Sequence, residues 1–140
     1  PRLQNLLITT YGQMTRHKNS ISWFALIGAI AALVHYIAAI SLEGFSWLSA
    51  PHANIAGFLL AFPVSYFGHR QFSFAHHSTT HQRALPRFFS VALLGFLGNQ
   101  SLVVAGLLFT ALPFWLILGI VMVIIAMSTY LLSHFWAFKA

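Results

Sequence analysis

Asn19-Ser-Ile-Ser-Trp-Phe-Ala-Leu-Ile-Gly-Ala-Ile-Ala-Ala-Leu-Val-His-Tyr-Ile-Ala-Ala-Ile-Ser-Leu42 is a continuous stretch without a Lys, Arg, Asp or Glu. Lys18 precedes it and Glu43 follows it. A helix that crosses a bilayer needs about 20 predominantly apolar residues, so this stretch predicts one span. A second uncharged stretch of similar length separates Glu43 from Arg70 and predicts another. A third reaches from Arg87 to Lys139 and is long enough for two spans. Thr110-Ala-Leu-Pro113 is the expected break within it, because Pro113 fits a first helical turn, where its missing N–H costs nothing. The expected spans are about 21–42, 51–72, 88–109 and 113–136, after an N-terminal segment of about 20 residues. The predicted fold is an all-α membrane protein of four transmembrane helices.

Charge placement predicts the orientation. Arg2, Arg16 and Lys18 precede the first span, Arg70, Arg83 and Arg87 lie between the second and third, and Lys139 follows the fourth. The only acid, Glu43, falls in the opposite set of loops. Basic residues beside spans are retained in the cytoplasm, so both termini and residues 1–20 are expected there. The composition agrees: the chain is 59% hydrophobic and 6% charged, a surface no soluble domain of this size tolerates. The net charge of +6 is explained by insertion topology, and no nucleic-acid partner is expected. No small-residue cleavage site follows the first span, so no cleavable signal peptide is expected. With no cysteine there is no disulfide, thiolate metal site or Cys nucleophile.

The sequence also repeats. Trp23-Phe-Ala-Leu-Ile-Gly28 in the first span aligns with Ser90-Val-Ala-Leu-Leu-Gly95 in the third. Ser65-Tyr-Phe-Gly-His-Arg-Gln-Phe-Ser-Phe74 at the end of the second aligns with Thr129-Tyr-Leu-Leu-Ser-His-Phe-Trp-Ala-Phe138 at the end of the fourth. Both halves start inside, cross and return, which predicts two parallel-repeat hairpins related by an axis along the membrane normal. Gly28, Ala32, Gly57, Ala61, Gly95 and Gly98 are the small residues expected to let helices approach closely.

The ends of spans 2 and 4, His69-Arg70-Gln71-Phe72-Ser73-Phe74 and Ser133-His134-Phe135-Trp136-Ala137-Phe138, are similar to the paired aromatic motifs of the GtrA-like family of small membrane proteins. Phe24 to Gly28, Arg87-Phe88 and Asn99 fit the same resemblance, which covers roughly residues 20–140. In that family position 69 is usually Asn and position 134 usually Arg. His134 therefore lacks the permanent charge of its counterpart. The resemblance implies a role in polyprenyl-phosphate sugar handling: moving an undecaprenyl-phosphate-linked sugar across the bacterial inner membrane for cell-surface polysaccharide glycosylation. The expected partners are that lipid, a membrane glycosyltransferase and further copies of the chain, since four short helices hardly enclose a large head group.

Residue chemistry gives such a role candidate sites. Arg70 and Arg87 sit at cytoplasmic span ends among aromatics. A guanidinium binds phosphate bidentately and stays charged, although interfacial Arg also serves as an anchor. With the adjacent His69 they form the expected lipid-phosphate site. Polar groups at membrane depth need a reason. His35, Tyr36, Asn99, Gln100, Tyr130 and His134 are the expected polar cleft for the sugar, and Asn54, Ser65, Ser128 and Thr129 add to the polar side chains on these spans. Interhelical hydrogen bonding is the plainer reading of each. His76, His77 and His81 match no metal-site spacing. One acid excludes carboxylate-pair catalysis, and no Gly-rich phosphate loop is present. No cofactor, metal or enzymatic activity is expected. A noncatalytic subunit that anchors or regulates a glycosyltransferase is the alternative function. A proton-coupled exporter is disfavoured, because Glu43 lies in a loop rather than in a span.

Overall fold

The structure is a computed structural model that describes residues 1–73 and 80–132. Among these residues it is entirely helical: α1 (Arg2–Gly44), α2 (Ala50–Gly68), a π-helical segment (His69–Ser73), α3 (His81–Phe109) and α4 (Phe114–Leu132). α1, α3 and α4 are long and apolar enough to cross a membrane. α2, at 19 residues as long as α4, is not among these three, because it carries Pro51, His52, Asn54 and Pro63.

Punctuation in the sequence accounts for the helix ends. α1 stops at Gly44 and a short turn follows, in which Ser46 adopts φ 57° and donates its N–H to the Glu43 carbonyl at 2.9 Å. Ser49 then precedes α2, with Pro51 in the first turn, where no backbone donor is lost. α3 ends at Phe109, where the Thr110 hydroxyl turns back to the Gly106 carbonyl at 2.6 Å. Pro113 leads into α4, its carbonyl accepting from Leu116 N and Ile117 N. α1 is longer than the span expected from the sequence. No proline interrupts residues 2–44, so the helix continues to Arg2 and is about 65 Å long at about 1.5 Å per residue. That is roughly twice the hydrocarbon thickness of a bilayer.

α1 packs along α2 and along the π-helical segment. α3 packs against α2 and α4, and α4 closes the bundle against α1. The core lies toward the Glu43 end, where Ala39, Ala53, Val103, Phe114, Ile117, Leu118 and Val121 form one buried cluster. Close helix approach depends on Gly57 and Gly68. A Cβ at Gly57 would meet the His35 carbonyl oxygen at 2.7 Å, and one at Gly68 would meet Ile27 Cγ2 at 2.7 Å. Gly57 and Ala61 are therefore contact positions, as expected. A Cβ at Gly98 would make only an ordinary contact, with Ile125 Cδ1 at 3.7 Å. Gly28 and Gly95 have open space beside them, and Ala32 is exposed, so these three do not bring helices together.

Candidate functional site

Polar side chains gather at two places in the bundle. The first is a network on α1, α2 and α3, built around Asn54, whose side chain has no solvent exposure. His35 Nε2 donates to Asn54 Oδ1 at 2.8 Å, an assignment the carbonyl acceptor requires. Asn54 Nδ2 donates to Asn99 Oδ1 at 2.9 Å and to Gln100 Oε1 at 2.7 Å. Gln100 Nε2 donates in turn to the Pro51 carbonyl at 3.2 Å. Asn54 thus uses its carbonyl and both amide protons to tie three helices together. Among the described residues, every buried side-chain N and O atom has a hydrogen-bond partner.

The second place is the basic end, where the π-helical segment packs on α1 around Ser20, Trp23 and Phe24, and the start of α3 packs on the end of α2. The Ser20 hydroxyl donates to the Ser73 carbonyl at 2.7 Å. Trp23 stacks on Phe72 with centroids 4.8 Å apart, and Phe24 packs on His69 at 4.5 Å. These contacts hold the widened turn that carries Arg70. A π-helical turn shifts the residues after it relative to an α-helix, and such turns recur at functional sites. Arg70 is half-buried. With Phe67, Gln71 and His81 it lines an open depression of about 410 Å³. The buried Tyr66 sits behind this wall, its hydroxyl 2.8 Å from His81 Nδ1. No acid lines the depression; the chain's single acid is at the far end of α1.

A column of aromatic rings between α2 and α3 separates the two places. Phe58 stacks on Phe96 at 4.4 Å beside His35. Phe62 continues the column to Phe88, Phe89 and Tyr66. His69 meets Phe88 at 5.8 Å.

The residues expected to act as sites are therefore distributed. His35, Asn99 and Gln100 come together, and Arg70 faces the depression. Arg87 is exposed on α3 and is not among the lining residues. His69 is buried and shares a hydrogen bond with Ser73 Oγ at 3.1 Å, so it braces the π-helical turn. Tyr36 donates its hydroxyl to the Trp115 carbonyl at 2.9 Å and walls an apolar groove of about 340 Å³ with Gly119, Ile120, Val123 and Ile124. Tyr130 is 67% exposed on α4. His134 lies outside the described residues, as do His76 and His77. Sequence reasoning did not assign His81 and Tyr66 to a site, and it placed Asn54 only among the polar side chains on the spans, not at the centre of the network. Asn54 had a legible signal, an amide within a stretch that carries no Lys, Arg, Asp or Glu. Among the described residues no three His, Asp or Glu side chains cluster to hold a metal.

The transmembrane domain of the GtrA/DPMS family matches residues 23–138, most of the chain. The chain belongs to the GtrA/DPMS transmembrane-domain family. Comparisons with curated proteins and with solved structures gave no match. Membership, with the apolar helices, makes the chain a multi-pass membrane protein. It also associates the chain with polyprenyl-phosphate sugar handling, and GtrA-like small membrane proteins are generally noncatalytic. Both polar places lie within the matched region apart from Ser20, whereas residues 2–22 of α1 precede it.

Proposed function

We propose that this chain translocates a polyprenyl-phosphate-linked sugar across the bacterial inner membrane, without itself catalysing a reaction, to supply cell-surface glycosylation. The Arg70 depression is the observation that carries the reading. It offers a permanent cation and an amide at the bundle's basic end, beside exposed apolar helix surface on which an isoprenoid tail can stay in lipid. A phosphodiester and a sugar entering hydrocarbon unaided lose their hydration, which costs several kcal/mol. A guanidinium offsets part of that cost with two parallel charge-assisted hydrogen bonds. With α2 as a fourth span, the basic end is cytoplasmic and both termini lie inside. Transport then proceeds down the lipid's gradient. Beyond capture, the head group must pass the Phe58–Phe96–Phe62 column, so transport requires α2 and α3 to part there. Further copies of the chain would enlarge the route.

The same closed column supports a second reading, in which the bundle anchors or regulates a polyprenyl-phosphate glycosyltransferase and moves nothing. Proteoliposomes that contain this chain and no glycosyltransferase separate the two. A polyprenyl-phosphate sugar is placed in both leaflets, and the fraction open to external periodate is followed in time. Oxidation rising past the outer-leaflet half, faster than in protein-free vesicles, is expected for translocation. A plateau at one half would leave only the subunit role.

A further inference from the structure

We infer that His81 is a second phosphate-binding group facing Arg70, held in position by Tyr66. The inference deepens the lipid-phosphate reading above and rests on it. His81 and Arg70 come from different helices, α3 and the π-helical end of α2, yet both line the same depression. The imidazole is fixed from behind: Tyr66 Oη lies 2.8 Å from Nδ1, and the two rings pack with centroids 5.9 Å apart. Tyr66 itself is held between Phe62 and Phe88.

Proton bookkeeping follows from that contact. When the Tyr66 hydroxyl donates to Nδ1, a neutral ring must carry its proton on Nε2. When the ring is an imidazolium, Nδ1–H donates to the phenol oxygen and Nε2 still carries a proton. Both forms present Nε2–H as a donor, and Tyr66 accommodates both because a phenol can donate or accept. The remaining neutral form, with a bare Nε2, would repel an anion. A phosphate oxygen at Nε2 therefore selects the two competent forms. Arg70 on one side and His81 on the other give two-point recognition of one phosphate group, with Gln71 as a further polar neighbour. The ligand class is a phosphate ester whose remaining substituents leave the depression: the prenyl tail into lipid, the sugar toward water.

The test is binding of a polyprenyl phosphate to the purified full chain in detergent, with the corresponding polyprenol lacking phosphate as comparison. Arg70→Ala, His81→Ala, His81→Gln, Tyr66→Phe and the double variant Tyr66→Phe/His81→Ala are compared, each checked by size-exclusion chromatography and thermal melting. Losing one contact to a charged oxygen is expected to weaken phosphate-lipid binding about tenfold in His81→Ala and to leave polyprenol binding unchanged. His81→Gln keeps an N–H donor and should recover part of the affinity. Tyr66→Phe should weaken binding several-fold in the wild-type background and have no further effect once His81 is Ala. If Arg70→Ala weakens binding while His81→Ala does not, His81 is no ligand, although the Arg70 reading survives. If neither variant weakens it, the lipid-phosphate reading falls as well. A Tyr66→Phe effect that persists in His81→Ala would show Tyr66 acting through packing alone and overturn its orienting role.

Discussion

Replacing Asn54 with Ala removes the hub of the buried network and three hydrogen bonds, to His35, Asn99 and Gln100. Interhelical hydrogen bonds in membrane proteins average about 0.6 kcal/mol, so the three together amount to roughly 2 kcal/mol. The partners cannot all turn to water, since His35 and Asn99 are themselves buried. Leaving them unpaired raises the expected loss toward about 3–4 kcal/mol. Leu118, also fully buried, supplies an apolar comparison. Leu118→Ala should cost a similar amount, about 2–5 kcal/mol, through a cavity alone. Asn54→Leu separates the two effects, because it retains volume and removes only the bonds. The assay is reversible unfolding in mixed bicelles, read as a free-energy difference, with a double-mutant cycle against His35→Ala. A coupling of about 0.5 kcal/mol or more between His35 and Asn54 is expected. Asn54→Ala within about 0.5 kcal/mol of wild type would refute the view that the network holds the three helices together.

Gly57→Ala places a methyl group against the His35 backbone, which cannot swing aside, so a loss of about 1–3 kcal/mol is expected in the same unfolding assay. Ser46→Gly relieves a non-glycine residue at φ 57° and should raise stability by about 1 kcal/mol, read as a higher melting temperature. For topology, single cysteines at Ser46 and Ser78 are labelled from outside whole cells with an impermeant maleimide. Ser46→Cys should react and Ser78→Cys should not; reaction at Ser78 would overturn the proposed N-in, C-in arrangement.

Helix ends are more legible in the sequence than helix interactions. Thr110 to Pro113 marks a break because proline and an extended Thr110 act locally, and local chemistry can be read from one sequence. The extension of α1 to Arg2 is legible in principle, since no proline intervenes, but the charges draw attention to the membrane edge instead. His35, Asn99 and Gln100 stand out as polar residues in apolar surroundings. Their convergence on Asn54 is a property of the packing of α1, α2 and α3, which no spacing along a single helix reveals. Tyr36 illustrates the converse: its hydroxyl is satisfied by the Trp115 carbonyl on α4, so it faces an apolar groove and not the network. The π-helical turn at His69–Ser73 has no composition signature, being held by Ser20, Trp23 and Phe24 from another helix. His81 reads as one more loop histidine until Tyr66 is found behind it. The aromatic column is hidden for a related reason. Its phenylalanines read as ordinary span residues until Phe58 and Phe96 are seen stacked across helices.

Arg70 is proposed to capture the lipid phosphate on the route across the membrane. The most direct test is the initial translocation rate of a polyprenyl-phosphate sugar in proteoliposomes, measured for wild type, Arg70→Lys and Arg70→Ala at matched protein incorporation. A lost charge-assisted contact of about 1.5–3 kcal/mol corresponds to roughly ten- to hundredfold at subsaturating lipid. Arg70→Lys keeps the charge without the planar fork and should fall between the other two. A folded Arg70→Ala that translocates the lipid at the wild-type rate would contradict the claim and leave Arg70 as an interfacial anchor.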